Sequence, residues 1–474
     1  MIVPPYVDED SELKVVGTLG EALAGWRSAT RTRIDDTRGN RGRQDYHLEA
    51  TQDRRDMVDQ ARKLERTNAL AEALLSRSVE NVVGTGWPLQ ALSGDPRWNA
   101  TTEERWKDWA TFHCDARGIS TFSQKLQLHQ RGKLRDGDSF SLFLDNGTLQ
   151  AIESDQVSTP FGLRQKLVDG IELDDLGKPI SYHVITRPDP LQTTVRLQPS
   201  TKIPAELIVP LARRQRHGQT RGLTAFANSF WLLEQMDGQI KAATVAARMA
   251  ACVGLVLNNK SRMAGLRQKT DGRGDNRRQL RLEPGFILER VGEETVTQVD
   301  PSKPVDKLPE TVQLMARLAG LPFGLPLEIS LMFWEKSNFS QARGALLQAH
   351  SVWQCEQVDL ERFASRIYRW WIIREMEAGT IPIRGDALTH RWLKPAWKYL
   401  NPKEEILADL ARVDAGVGTL SELTRRQGHE FADVVAIRKM EKALLDEAGL
   451  SEVRSTMTRD PVPPAQDPPP PGTP

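Results

Sequence analysis

The chain has 474 residues, with Lys+Arg 64 against Asp+Glu 63, a formal net charge of +1, 39% hydrophobic and 27% charged residues. That length calls for roughly two to four structural units, and the charge balance excludes a protein coated with basic surface for gripping nucleic acid, though not a local basic lining. Cys114, Cys252 and Cys355 are far apart and odd in number, with no C-x-x-C, so they read as idle thiols of a reducing compartment rather than a disulfide framework or zinc ribbon.

In chain order, "MIVPPYVDED" has no basic n-region and no apolar h-region, so no secretory signal is expected. Residues 1–52 read as an arm, acidic at its start and irregular from Trp26 on. Met57, Ala61, Leu64, Leu70, Ala73 and Leu74 recur at helical spacing and predict one helix over Asp53–Asn81, stopped at "VVGTGWP". From Pro88 to Pro210 strands and turns mix with short helices. "SFSLFLDNGTLQAIESDQV" alternates around Asn146-Gly147, a hairpin signal, and "ISYHVITR" and "TTVRLQP" read as further strands. This block is an α+β domain.

Leu223 to Ala251 reads as one Ala-rich helix, whose small side chains let other helices approach closely. Glu234, Asp237, Lys241 and Arg248 interrupt it, where a membrane span needs about 20 apolar residues with few charges. Residues 252–304 form an α/β insertion, and 305–320 a shorter helix ending at Gly320. A Pro/Gly-rich loop, "LPFGLPLEISLMFWEKS", leads to a long helical run after a cap-like Asn338 with Gln341 three residues on. Phe339, Ala342, Leu346, Ala349, Trp353, Leu360, Phe363, Ile367, Trp370 and Trp371 form its apolar stripe. Asn401-Pro402 and Thr419 with Glu422 start two more helices, with Gly428 and Gly449 as stops. The tail from 451 is proline-rich and reads as disordered or polyproline-like.

Chemistry is sparse. There is no G-x-x-x-x-G-K-[ST] to cradle a nucleotide, no H-E-x-x-H and no G-x-S-x-G elbow, so neither a cofactor nor a metal is expected. Glu153 and Asp155, two apart on an expected strand, share a face and could meet a substrate or divalent ion; the same letters also fit a strand end before an Asp-initiated turn. Two basic groupings stand out. Arg213, Arg214, Arg216 and Arg221 precede the Ala-rich helix; Lys260, Arg262, Arg267, Lys269, Arg273, Arg277, Arg278 and Arg281 face only Asp271 and Asp275. The second grouping fits a solvated surface, a contact for an acidic protein, or a phosphate-facing strip. No aromatics interleave there, so base stacking is not supported.

The order of these pieces resembles the lambda-type family of phage portal (head-tail connector) proteins from about residue 57 to 450. The resemblance is carried by "ARKLERTNALAEALLSRSVENVVGTGWPLQA", "IESDQVSTP", "GIELDDLGKPISYHV", "GQTRGLTAFANSFWLLEQMDGQIKAATVAARMAA", "LEPGFI", "RLAGLPFGLPLEI", "NFSQARGALLQAH" and "NPKEEI". Phe339 and Gln341 depart from it, standing where the family usually has a tyrosine and a small hydroxyl.

The resemblance implies a predominantly helical α+β subunit of a ring, commonly about twelve copies, with a central channel for double-stranded DNA. It divides the chain into a wing (53–222), stem helices (223–251 and 305–320) around a clip (252–304), a tunnel loop (321–337), a long wing helix and its exit (338–400) and a helical crown (401–450). Phe333, Trp334 and Lys336 then fall in the tunnel loop, as DNA contacts or as packing between loop and helix. Arg262, Arg267, Lys269, Arg273, Arg277 and Arg278 fall in the clip, facing first the packaging ATPase (terminase large subunit) and later head-completion or tail connector proteins. Major capsid and scaffold proteins are further implied partners, with the virion vertex as the place of action after assembly in the host cytoplasm. Two rival readings are a hydrolase of nucleic acid or sugar using Glu153 and Asp155, and a scaffold without DNA.

Overall fold

The computed structural model describes residues 46–160, 167–185, 200–252, 256–259, 294–297, 308–332, 339–395, 397 and 402–448. Chain contacts divide it into two units, Met1–Trp392 and Leu393–Pro474.

The first unit opens with α1 (Tyr46–Thr67) and α2 (Ala69–Val82). The single helix expected here is broken at Asn68, whose backbone is extended and whose side-chain oxygen accepts the Ala71 N–H at 2.9 Å. An amide side chain that caps a new first turn competes with helix continuation, and here it wins. α3 (Pro96–Asp108) starts from an Asp95 cap with proline in the first turn, and α4 (Phe122–Asp136) from a Thr121/Gln124 capping box.

Strand β1 (Leu89–Ala91) lies between α2 and α3; it pairs antiparallel with β11 (His390–Trp392), which returns after the long helix. A three-stranded antiparallel sheet is ordered β3-β2-β8, from β2 (Asp138–Phe143), β3 (Leu149–Ile152) and β8 (Ile208–Ala212). The β2–β3 hairpin turns at Asn146-Gly147 as expected, with Gly147 at φ 85° and its N–H donating to Leu144. A second antiparallel sheet runs in chain order through β4 (Leu167–Val168), β5 (Ile171–Leu173), β6 (Pro179–Val184) and β7 (Thr201–Pro204). The sheets share one core, in which Phe140, Ile152 and Ile208 meet Ile171, Tyr182, Val184 and Ile203.

The long helix α8 spans Phe339–Glu377, 39 residues and about 58 Å at 1.5 Å per residue. Its expected stripe is the buried one from Ala342 through Leu346, Ala349, Trp353, Leu360, Phe363 and Ile367 to Trp371, with Trp370 half-buried and stacked on Phe143. Trp106 of α3 sits at the centre of an aromatic cluster, 4.9 to 5.8 Å from the rings of Trp109, Phe122, Tyr368, Trp371 and Trp392. β2 is buried along its whole length, covered by the second sheet and by α8.

The Ala-rich segment begins later than expected. Ala225–Asn228 forms a 3-10 turn, and α5 runs only from Phe230 to Cys252. α6 (Leu308–Gly320) packs along it, with the Ser229 hydroxyl donating to the Ala319 carbonyl at 3.1 Å. β9 (Val256–Asn259) follows α5 and pairs with β10 (Glu294–Thr297), which precedes α6. The two helices therefore form an antiparallel hairpin tied at both ends. Residues 321–332, expected as open loop, instead hold a 3-10 turn and the short α7 (Leu327–Ser330), and they bury Phe323, Leu325 and Leu327. Apolar residues flanking each proline and glycine give this stretch its own anchor in the core.

Among its described residues the second unit has three helices, α9 (Pro402–Asp414), α10 (Leu420–Arg426) and α11 (Phe431–Glu447). Thr419 caps α10 by accepting the Glu422 N–H, and Gly428 closes the turn after it, as expected. Asp409, bonded to Arg426 at 3.2 Å, is the one buried side chain among the described residues of this unit. Ile406, Leu407, Met440 and Leu444 are exposed.

Candidate functional site

The densest chemistry lies where the segment before α5 crosses the first sheet. Gly137 and Gly222 bring their backbones together so closely that a Cβ on Gly222 would stand 1.8 Å from the Gly137 carbonyl oxygen. This contact seats Arg221 over Asp138. The guanidinium donates to both carboxylate oxygens (2.7 and 3.0 Å) and to the carbonyls of Ser154, Val157 and Asp169 at 2.7 to 2.8 Å. Burial alone would raise the Asp138 pKa, but the Arg221 charge and hydrogen bonds outweigh it and hold the carboxyl below the ordinary range.

Asp169, at φ 47° before Gly170, anchors the other side. It accepts from Arg54 at 2.6 Å and Arg55 at 2.8 Å, which ties α1 to the second sheet. Burial again opposes ionisation, yet the charges of Arg54, Arg221 and Arg55 bring Asp169 to about 2. Of these groups only Arg221 was legible as a candidate, as one member of a basic grouping; the structure makes it a buried link. The clue in the sequence was the Arg221-Gly222 pair set against Gly137-Asp138, a small residue beside each ion.

A half-exposed layer adjoins this core. Arg62 bonds Asp136, Glu153 and Asp155 at 2.9 to 3.0 Å, and Arg135 bridges Asp136 and Glu65. Glu153 and Asp155 thus do not share a strand face. β3 ends at Ile152, Glu153 caps a 3-10 turn over Ser154–Gln156, and both carboxylates converge on one guanidinium. That arrangement is an ion-pair cluster, and the strand geometry that motivated a hydrolase reading is absent. Among the described residues, no group of three or more His, Cys, Asp or Glu could hold a metal ion, and no helix is long and apolar enough to cross a membrane. Cys114 is buried and Cys355 exposed, both as free thiols.

On the opposite side of β8, a cleft of about 900 Å³ separates α8 from β6 and β8. Arg362, Arg366 and Arg369 line its helical wall, one turn apart, while Ile180, Tyr182, Val209, Leu211 and Phe363 supply an apolar floor. Arg214, from the first basic grouping, stands on the rim. The sequence reading missed this stripe because attention to α8 went to its apolar face.

The proposed channel residues Phe333, Trp334 and Lys336 and the basic residues Arg262, Arg267, Lys269, Arg273, Arg277 and Arg278 lie outside the described residues, as does the Asn338 cap. The described chain brackets them. Residues 333–338 fall between Met332, at φ 52°, and α8; residues 260–293 fall between the paired strands β9 and β10.

A "Probable portal protein" of Halomonas phage phiHAP-1 is 24% identical over 460 residues, covering 86% of this chain and 84% of that protein. Among solved structures, the neck of an empty GTA particle computed with C6 symmetry matches at 15% identity and a TM-score of 0.47, over 79% of this chain and 93% of the other. The virion of a native gene transfer agent particle matches at 14% and 0.46, over 77% and 91%. The model of the phage portal proteins of the lambda family matches residues 33–357, more than half of the chain, and the protein belongs to that family.

Proposed function

We propose that the chain is the subunit of a portal ring of about twelve copies, set at one vertex of a phage capsid, through whose channel double-stranded DNA is packaged and later ejected. The observation that carries this reading is the α5–α6 hairpin. Past Met236 no described side chain of α5 is buried by its own chain, although the segment is Ala-rich and carries Ile240 and Val245; α6 likewise exposes Leu314 and Leu318. Apolar faces on a projecting hairpin call for a neighbour, and a head-to-tail contact repeated about an axis closes a ring.

In this reading residues 53–222 with 338–400 form the wing, α5 and α6 the stem, 252–304 the clip and 401–450 the crown. The tunnel loop is 321–337, and since Phe323, Leu325 and Leu327 are buried, the reading gives its DNA-facing role to Phe333, Trp334 and Lys336. The clip, with its arginines and Lys269, receives the packaging ATPase and then the head-completion or tail proteins, while the wing meets capsid and scaffold. The chain has no phosphate-cradling motif, so the energy for packaging comes from that separate ATPase. Contacts to the moving DNA are few, because each phosphate contact adds roughly 0.9 to the salt slope of binding and would slow translocation.

Native mass measurement with negative-stain imaging tests the proposal. The expected particle is a ring near twelve times 53.3 kDa with a central hole. A compact dimer without a hole, or a monomer that persists beside capsid and scaffold proteins, overturns it.

A further inference from the structure

The arginine cleft has no role in a conduit for DNA, and its chemistry is specific. Arg362, Arg366 and Arg369 are exposed, on one face of α8. Arg366 donates to the carbonyls of Ala205 and Glu206, which orients it without neutralising it. Arg214, Arg362 and Arg369 make no ion pair among the described residues. Three carboxylates also line the cleft. Asp359 is bound to Lys133 at 2.7 Å, and Asp174 accepts the backbone N–H groups of Leu176 and Lys178. Asp174, whose backbone bonds leave its charge in place, and Glu206 remain, against four arginines and Lys178. A walled groove with a cationic side and an apolar floor matches a peptide that carries carboxylates and apolar side chains together. Duplex DNA fits it poorly, since its phosphates lie on a convex cylinder and gain nothing from an apolar floor.

We infer that this cleft binds an acidic, partly apolar peptide segment, and that the segment is Val7–Leu13 of the chain itself. Asp8, Glu9, Asp10 and Glu12 make the densest acidic run in the sequence, and Val7 and Leu13 flank it with apolar side chains. The 33 residues from Leu13 to Tyr46 span up to about 110 Å when extended, enough to reach the cleft of the same copy or of a neighbour. The pairing acts as a latch. It joins the start of the chain to the long helix by exposed charges that salt can release.

Zero-length carbodiimide coupling of the full-length chain, followed by peptide mapping, tests this. Lys178, exposed on the cleft rim, is expected to couple to Asp8, Glu9, Asp10 or Glu12. The yield should fall roughly tenfold in the double variant Arg362→Glu with Arg369→Glu, and in salt of about 1 M, where the screening length is ~3 Å. Both substitutions are on exposed positions, and circular dichroism confirms that the fold is kept. Absence of the coupled peptide, or a yield unchanged in the double variant, overturns the inference. So does a short DNA duplex that displaces the segment and loses its own binding in that variant, which would assign the cleft to phosphates.

Discussion

Arg221 and Asp138 face each other through two hydrogen bonds, with side chains only 2% and 0% exposed. Such a pair adds little over a well-packed apolar one, but losing one partner strands a charge in the interior. Arg221→Met should therefore cost about 3–5 kcal/mol in urea unfolding. Arg62→Ala, which opens the half-exposed cluster, should cost about 1 kcal/mol or less. Equal costs for the two would refute the division into core and rim.

Gly222→Ala should be equally damaging for a different reason. The new Cβ meets the Gly137 carbonyl oxygen at 1.8 Å, and backbone cannot step aside as a flexible side chain can. A loss of about 3 kcal/mol, the upper end for overpacking, is expected. Gly218→Ala, with nothing within 4 Å of its Cβ, is the control and should leave the melting temperature unchanged.

Acid should unfold the first unit in two stages. His129 is buried between Ser139 and Phe363, and burial, helped by the nearby Lys125 charge, pushes its pKa down from 6.5 to about 3. Its folded pKa lies below the unfolded one, so the unfolded chain takes up the proton first. Stability is complete above pH 6.5 and declines as pH falls toward about 3, by about 1.4 kcal/mol per pH unit. Asp169, lowered from 3.8 to about 2, adds a second loss across that lower range. Urea midpoints between pH 7 and pH 4.5 should fall in the parent and stay nearly flat in His129→Gln; parallel slopes would show that another group is responsible.

On the proposed portal function, charge reversal at Arg277 and Arg278 should separate assembly from packaging. The double Glu variant should form rings of normal appearance but fill few heads, scored by nuclease-protected DNA per particle. Loss of the rings themselves would make this basic strip structural.

The long helix was legible in the sequence because its stripe from Ala342 to Trp371 holds one period for eight turns and no glycine or proline interrupts it after Gly344. The break at Asn68 was not, since both halves keep the same apolar spacing and only a side-chain hydrogen bond divides them. The start of α5 failed similarly: Ala225 and Phe226 are buried in a 3-10 turn, and Leu223 just before it, as they would be in an α-helix. The Arg221 link joins positions separated by 83 residues, and no local pattern encodes such a partner. Glu153 and Asp155 follow the strand-end reading rather than the shared-face one, because two-residue spacing signals a shared face only while the strand lasts, and it ends at Ile152 before a 3-10 turn.

Arg221 stands nine residues before α5, which gives its six hydrogen bonds a mechanical meaning. A pull along the helix is met first by the buried Phe226, Ala225 and Leu223 and by the Thr224 hydroxyl, which donates to the Leu134 carbonyl, and then by the guanidinium, where the tension divides among Asp138, Ser154, Val157 and Asp169. Bonds strained side by side must rupture together, whereas bonds strained one after another unzip. The hub thus works as a shear anchor: the α5–α6 hairpin can be tugged without peeling the sheets apart, and the first element to give way under force lies on the hairpin side of Ser229.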